Sequence, residues 1–568
     1  MRQRWAIGLF ALSAMVLGVL FFVPLGMVMA GGFWVNGRFT LRYLAGVFRN
    51  PIYAEGLWNS LRIALGTSAL ATLLALPLAW LAHRYTFPGQ RLLGSLILAP
   101  MILPPFVGAI GLQQMLGTYG ALNALMGWGP VDWLGRSQYF GVVLLQALGF
   151  YPILYLNLTA ALANVDPAME EAAENLGCWG MRKFFRITFP LILPGFFAGL
   201  AIIFIWSFTE LGTPLILNYT RCAPVQVFDA LKEVAANPFP YALVFVLLSA
   251  SALLYVAVKL AFGRRAYAMQ SKASTGAAAR PARGMRGAAI TAVFAGVLAL
   301  ALLPHVGVIL HSLAAPGSWF RSALPRVFTW ANYAEALGHN MTLGGIRNSL
   351  VYSSLAVVIN LALGLSVAFV TVRSTLRARG ALDALAMLPL AVPGLIMAFG
   401  YLALSARLGS QAWVRDSPFW QTLLDVRTNP TFFLVIAYAV RRVPYTVRAA
   451  SAGLQQTSVV FEEAAANLGA GPWQTLRRIT LPLIAANLIA GALLAFAFSM
   501  LEVSDSLMLA QREDFYPITK TIYELFNVIG TGPYLASALG VWAMAFLAVT
   551  ILGASRLLGR RMGALFRV

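Results

Sequence analysis

Glu170-Glu171-Ala172-Ala173-Glu174-Asn175-Leu176-Gly177 returns almost word for word as Glu462-Glu463-Ala464-Ala465-Ala466-Asn467-Leu468-Gly469. Each copy follows a residue suited to capping a helix: Asp166, with Pro167 next, in the first and Ser458 in the second. Met169, Ala172, Ala173 and Leu176 fall at i, i+3, i+4 and i+7, as do Phe461, Ala464, Ala465 and Leu468. The spacing therefore predicts a short helix with one apolar stripe in each copy. Gly177 and Gly469 sit where a glycine lets the chain turn out of a helix. Basic residues follow (Arg182, Lys183, Arg186; Arg477, Arg478), then Ile-Thr-Phe-Pro at 187–190 or Ile-Thr-Leu-Pro at 479–482. A long apolar run opens after each proline.

Those apolar runs set the fold class. The chain of 568 residues is 60% hydrophobic and only 11% charged, with a mean hydropathy of +0.75. Runs of about 20 residues, enough to cross roughly 30 Å of hydrocarbon, recur throughout. The expected spans are 6–30, 57–82, 92–116, 139–163, 191–212 and 241–262, then 288–313, 347–372, 382–406, 431–450, 483–510 and 534–555. With the N-terminus inside, the inner segments collect Arg2, Arg4, Arg84, Arg91, Arg264, Arg265, Lys272, Arg373, Arg377 and Arg379, whereas the outer segments are near balance. The net charge of +21 is thus a positive-inside bias and not a nucleic-acid signature. The first apolar run is longer than the 7–15-residue core of a signal peptide, so it reads as an uncleaved first helix of a bacterial inner-membrane protein with both termini cytoplasmic.

The repetition extends well beyond the quoted stretch. Asn59-Ser60-Leu61 recurs as Asn348-Ser349-Leu350, a shift of 289 that also carries Arg84 onto Arg373, Pro100 onto Pro389, Pro104 onto Pro393 and Gly111 onto Gly400. Beyond the third helix the shift becomes 292, aligning Arg186 with Arg478, Gly199 with Gly491 and Glu210 with Glu502. The expected fold is an all-α membrane protein of about twelve transmembrane helices in two tandem, parallel six-helix repeats. Its domains would be 1–262 and 288–568, joined by a small, basic cytoplasmic linker at 263–287. A parallel repeat implies a pseudo-two-fold axis along the membrane normal, with the transport route near it.

The full pattern is Glu-Ala-Ala, three residues, Gly, nine residues, Ile, one residue, Leu, Pro, and it resembles the cytoplasmic loop of binding-protein-dependent ABC importer permeases. The second copy matches throughout; the first departs at Phe189. The resemblance implies that Glu170, Glu171, Ala172, Ala173 and Gly177, with Glu462, Glu463, Ala464, Ala465 and Gly469, form coupling loops that dock on an ATP-hydrolysing partner. Two copies in one chain resemble the fused permeases. Trp206-Ser207-Phe208-Thr209-Glu210-Leu211-Gly212-Thr213-Pro214 and Arg441-Arg442-Val443-Pro444-Tyr445 resemble the ferric-iron branch most. The implied partners are two cytoplasmic ATPase subunits, a periplasmic or lipid-anchored substrate-binding protein and membrane lipid, with no nucleic acid. Permeases for thiamine, phosphonate, polyamine or sulfate share the layout, and an ion-driven secondary transporter shares the helix count and the repeat, but nothing in it calls for the Glu-Ala-Ala loops.

The remaining chemistry agrees with a transporter subunit and not an enzyme. None of Lys183, Lys232, Lys259, Lys272 and Lys520 follows a glycine, so the chain has no P-loop, and ATP and Mg belong on a partner. His83, His305, His311 and His339 are scattered, and Cys178 and Cys222 are predicted on opposite sides of the membrane, so no metal site or bound cofactor is expected. Ionisable groups inside spans point to a protein interior or an aqueous route. Ser207 and Glu210 with Ser499, Glu502 and Asp505 are the expected translocation-path residues, read as a polar, acidic wall on one helical side. Arg441, Arg442 and Arg448 form a basic cluster that is not duplicated, with topological anchoring or pairing with acids as its readings.

Overall fold

The computed structural model describes residues 3–35, 37–101, 104–127, 129–135, 138–233, 237–262 and 280–558. The first part of the expected linker, 263–279, and Arg2, Arg264, Arg265 and Lys272 lie outside the described residues. Each half is built on three closely packed long helices. In the first these are Pro51–Arg84, Tyr139–Ala163 and Phe189–Phe208; in the second they are Asn340–Arg373, Thr431–Gln456 and Leu481–Met500. Gly199 and Gly491, aligned by the repeat, sit where these helices touch: a Cβ at Gly199 would meet Leu154 and Asn157, and one at Gly491 would meet Ala449.

Among the described residues nine helices are long and apolar enough to cross a membrane, and two bent pairs bring the number to eleven if each is one span. The bent pairs correct the expectation of continuous helices at 92–116 and 382–406. Gln90–Met101 meets Phe106–Met126 at 106°, and Arg379–Leu390 meets Gly394–Gly409 at 97°. The cause is in the sequence. Pro100 and Pro104, and Pro389 and Pro393, lack the amide hydrogen a helix needs and disfavour helical geometry in the residue before them. The one expected span not in that number is the tenth, Thr431–Gln456, whose Arg441, Arg442 and Arg448 remove it from a count made on apolar character alone.

The two halves exchange their first helices. Gly284–Leu313 packs against Pro105–Leu116 of the first half, and Gln3–Phe33 packs against Gly394–Gly409 of the second. The aligned glycines Gly111 and Gly400 make room for this. A Cβ at Gly111 would collide with the Pro304 carbonyl, and one at Gly400 would come within 2.8 Å of the Pro24 carbonyl. Pro24 also frees the Leu20 carbonyl within its own helix, and the Tyr401 hydroxyl donates to it at 2.8 Å.

The Asn-Ser-Leu repeat serves the end of the bundle away from the Glu-Ala-Ala loops. The Ser60 hydroxyl accepts from the Ala223 amide at 3.0 Å, and Ser349 accepts from Ile518 at 2.7 Å. Asn59 donates to the Arg221 carbonyl at 2.8 Å, and Asn348 donates to Tyr516 at 3.1 Å. In both halves the pair pins the start of a short helix, Ala223–Asp229 or Ile518–Phe526, to the long helix beside it.

Candidate coupling loops and translocation cavity

Both quoted stretches are short helices, Pro167–Asn175 and Val460–Asn467. Asp166 caps the first by accepting from the Ala168 amide at 3.0 Å, and Ser458 accepts from Val460 at 3.3 Å. Gly177 and Gly469 take φ of +78° and +84°, the left-handed region that costs glycine little. The next amides reach back five residues, Cys178 to the Ala173 carbonyl at 2.9 Å and Ala470 to Ala465 at 3.0 Å, closing each helix in a Schellman turn.

The first glutamate of each copy faces inward and fastens the loop. The Thr188 hydroxyl donates to Glu170 at 2.5 Å, and the Thr480 hydroxyl donates to Glu462 at 3.5 Å. Both links span eighteen residues, so the fixed distance from the Glu-Ala-Ala motif to Ile-Thr-x-Pro is the length of a closed loop. Cations complete each seat: Lys183 lies 3.0 Å from Glu170, and Arg373 lies 3.1 Å from Glu462. Burial opposes ionisation of Glu170, but the Thr188 and Lys183 hydrogen bonds outweigh it and hold the carboxyl below its ordinary range. Glu174 is also lowered, first by its hydrogen bond from Lys183.

The alanines divide between two faces. Ala173 and Ala465 are buried against the membrane-spanning part, while Ala172 and Ala464, with Glu171 and Glu463, are exposed. Outermost are Leu176, 86% exposed, and Leu468, 89% exposed. The apolar stripe of the sequence is thus split: its second alanine packs inward and its leucine projects outward.

The residues expected along a route gather where the two halves meet. A cavity of about 210 Å³ is lined by repeat-equivalent pairs, among them Pro100 and Pro389, Pro104 and Pro393, Trp206 and Phe498, and Glu210 and Glu502. The halves dress it differently. Glu210 accepts from the Gly212 and Thr213 amides at 3.0 and 2.9 Å and from Gln146 at 3.3 Å. Ser207 donates to the same Gln146 at 2.5 Å. Opposite, Glu502 is clamped by Arg441, at 2.5 Å, and by Arg442. Arg441 also lies 3.2 Å from Asp505, which is fully buried. Gly149 and Phe150 occupy the first-half positions equivalent to these arginines, so the ion-paired cluster belongs to the second half alone.

Two expectations change here. Leu481–Met500 ends before Glu502, and Asp505 stands on a separate short helix, Ser504–Leu509, so one continuous helical face does not carry Ser499, Glu502 and Asp505. The Ser499 hydroxyl is buried without a partner among the described residues. The wall is also not simply acidic, because two arginines neutralise the second-half carboxylates. Of the basic cluster, Arg448 is apart and lies 3.7 Å from Asp383.

Residues 71–220 and 360–563, one stretch in each half, match the family described as binding-protein-dependent transport system inner membrane component. The chain belongs to this family. The permease is 26% identical over 488 residues to the putative ferric transport system permease protein FbpB 1 of Haemophilus influenzae, covering 82% of this chain and 70% of that protein. It is 26% identical over 479 residues to the ferric transport system permease protein FbpB of Actinobacillus pleuropneumoniae, covering 81% of this chain and 64% of that one. The molybdenum transport system permease protein ModB of Escherichia coli is 36% identical over 193 residues, 32% of this chain and 82% of that one. The permease is a multi-pass inner-membrane transport component and is not itself catalytic.

Sequence reasoning missed Thr188 and Thr480 as anchors of the Glu-Ala-Ala loops. The signal was present, since each stands eighteen residues after the first glutamate of its copy. It also missed Gln146, an isolated amide in an apolar helix with no repeated partner to draw attention to it.

Proposed function

We propose that this permease forms the translocation path of an ATP-driven importer of ferric iron and couples that path to two separate ATPase subunits through its two Glu-Ala-Ala loops. The observation that carries the coupling role is the pairing of fastened loops with outward leucines. Glu170 and Glu462 hold each loop to the membrane part, while Leu176 and Leu468 project almost fully exposed at the same end of the bundle. Such apolar side chains gain from burial in a partner's cleft, about 2 kcal/mol for a leucine. In this reading the loops, the start of Gln3–Phe33 and the linker are cytoplasmic. The ends pinned by Ser60 and Ser349 face the binding protein, and the cavity between Glu210 and Glu502 is the passage. ATP and Mg sit on the ATPase.

The iron reading rests on layout: the ferric permeases resemble this chain across both halves, whereas the molybdenum permease matches a single half. Molybdate is the second reading, favoured by the 36% identity to the molybdenum permease over 193 residues. The test is reconstitution with the ATPase and binding protein encoded beside the chain, followed by uptake of labelled ferric iron and of molybdate. Iron uptake that requires ATP and the binding protein supports the proposal; molybdate uptake without iron uptake replaces it with the second reading.

A further inference from the structure

The two coupling loops are seated unequally. Glu174 of the first loop stands where the second has Ala466, and Lys183 stands where the second has Thr475. The Lys183 ammonium is 3% exposed and bridges Glu170 and Glu174 at 3.0 Å each. Glu174 also reaches Arg84 at 3.7 Å and, from a different part of the chain, Arg280 at 3.1 Å. Arg280 belongs to the end of the segment joining the halves. Arg280 and Pro281 pair in parallel with Tyr85 and Thr86 as a two-residue strand, and the Ala282 amide donates to the Thr86 carbonyl at 2.8 Å. Arg286 then lies over the Tyr85 ring at 4.9 Å, and the Thr291 hydroxyl donates to the Pro88 carbonyl at 3.0 Å.

We infer that residues 280–291, at the entry to the second half, are a working part of the first coupling loop and make it stiffer than the second. The exposed Arg280–Glu174 pair alone would contribute little. Its effect comes from company: the strand fixes the Arg280 backbone, and the buried Lys183 has both of its carboxylates in the first loop. Glu174, Lys183 and Arg280 are positioning residues, acting on the partner through the loop they hold. The fused chain then meets two identical ATPase subunits with one braced and one compliant contact. This rests on the loops being the ATPase contacts, but the stiffness itself is measurable without the ATPase.

The test is hydrogen–deuterium exchange on the full chain in lipid nanodiscs, comparing amides of 167–180 with those of 459–472. The first loop should exchange more slowly. Glu174→Gln, which takes a carboxylate from Lys183, Arg84 and Arg280 together, should speed it by about tenfold, and Arg280→Ala by about twofold, as for an exposed pair, and both should leave the second loop unchanged. Arg280→Lys should restore much of the protection. The converse variant, Ala466→Glu with Thr475→Lys, should slow the second loop. Equal exchange in the two native loops, or no response to Glu174→Gln and Arg280→Ala, would overturn the inference. Asymmetric exchange in a chain that fails to capture the ATPase would uphold the brace and reject the coupling role.

Discussion

The Thr188 hydroxyl donates to the Glu170 carboxylate at 2.5 Å, and the repeat reproduces the link between Thr480 and Glu462. The bond ties the first turn of each Glu-Ala-Ala helix to the start of the membrane-spanning helix that follows. A push on the loop therefore reaches the bundle through a closed ring and not through a slack chain. Thr188→Val and Thr480→Val keep the shape but remove the donor, leaving a half-buried carboxylate one bond short at a cost of about 1–3 kcal/mol. Binding-protein-stimulated ATP hydrolysis in the reconstituted complex should fall in both, more in the double variant, while insertion is unchanged. Serine at either position should restore it.

Gly177 and Gly469 are open to solvent on the side where a Cβ would lie, and nothing stands within 4 Å of it. The whole penalty for a side chain is therefore in the backbone, about 1–2 kcal/mol for an L-residue at this φ. Gly469→Ala should impair coupling and Gly469→Val more, because a β-branched residue is strained further in the left-handed region, with Gly469→Asn closest to the native chain because asparagine tolerates it. Gly469→Asn no better than Gly469→Ala would contradict this account. ATPase activity with the binding protein present is the measurement.

Glu502 is buried between two part-buried guanidinium groups. Glu502→Gln leaves Arg441 with Asp505 and Arg442 with the Phe498 carbonyl, a loss of about 3 kcal/mol, the low end for a broken buried pair. The first half lines the equivalent wall with Gly149 and Phe150 and needs no such pairing. Adding Arg441→Gly, Arg442→Phe and Asp505→Thr, the residues that the first half has at these positions, to Glu502→Gln should therefore recover much of the thermal stability lost in the single variant, because no buried charge is then left unpaired. Melting followed by scanning fluorimetry in detergent checks this, and a quadruple variant less stable than Glu502→Gln would refute it.

Glu170 and Glu174 have their carboxyls lowered in the folded loop. A depressed carboxylate adds stability that is fully present above its unfolded value, about 4.3, and is lost as pH falls through the folded value. In a chain with His83→Gln, so that no imidazole charges beside Glu170, an environment-sensitive dye on Cys178, in the same turn, should therefore give a flat signal from neutral pH down to about 4.3 and change only below it. Glu170→Gln with Glu174→Gln should abolish the transition.

The orientation in the membrane is open to labelling. In a chain with Cys178 and Cys222 replaced, single cysteines at the exposed Ser458 and Ser410 should react from opposite sides, Ser458 from the cytoplasm. Reaction of both from one side would overturn the arrangement.

Much of this was legible because duplication supplies an internal comparison. Gly111 and Gly400 were paired by spacing before either had a role, and both turned out to receive a helix from the other half. The Asn-Ser-Leu repeat likewise marked a hydrogen-bonded junction. The bends at Pro100–Pro104 and Pro389–Pro393 were hidden because apolar character measures the length of a span and says nothing of its path. Of the two readings of the basic cluster, pairing with acids holds for Arg441 and Arg442, because Thr431–Gln456 continues past Pro444 and carries them beside Glu502. The seat of Glu174 on Arg280 has no copy in the second half, and a comparison of repeats is blind to what only one repeat possesses.

The exchange of first helices has a consequence for the making of the chain. Leu20 offers its carbonyl to Tyr401, a residue 381 positions later. At about 5–20 residues per second, the ribosome needs roughly 20–80 s to supply that hydroxyl. During that interval the first helix waits in the lipid with an unmet acceptor and a face shaped for a neighbour that does not yet exist. The nascent first half is thus an unfinished object until synthesis of the second half is well advanced.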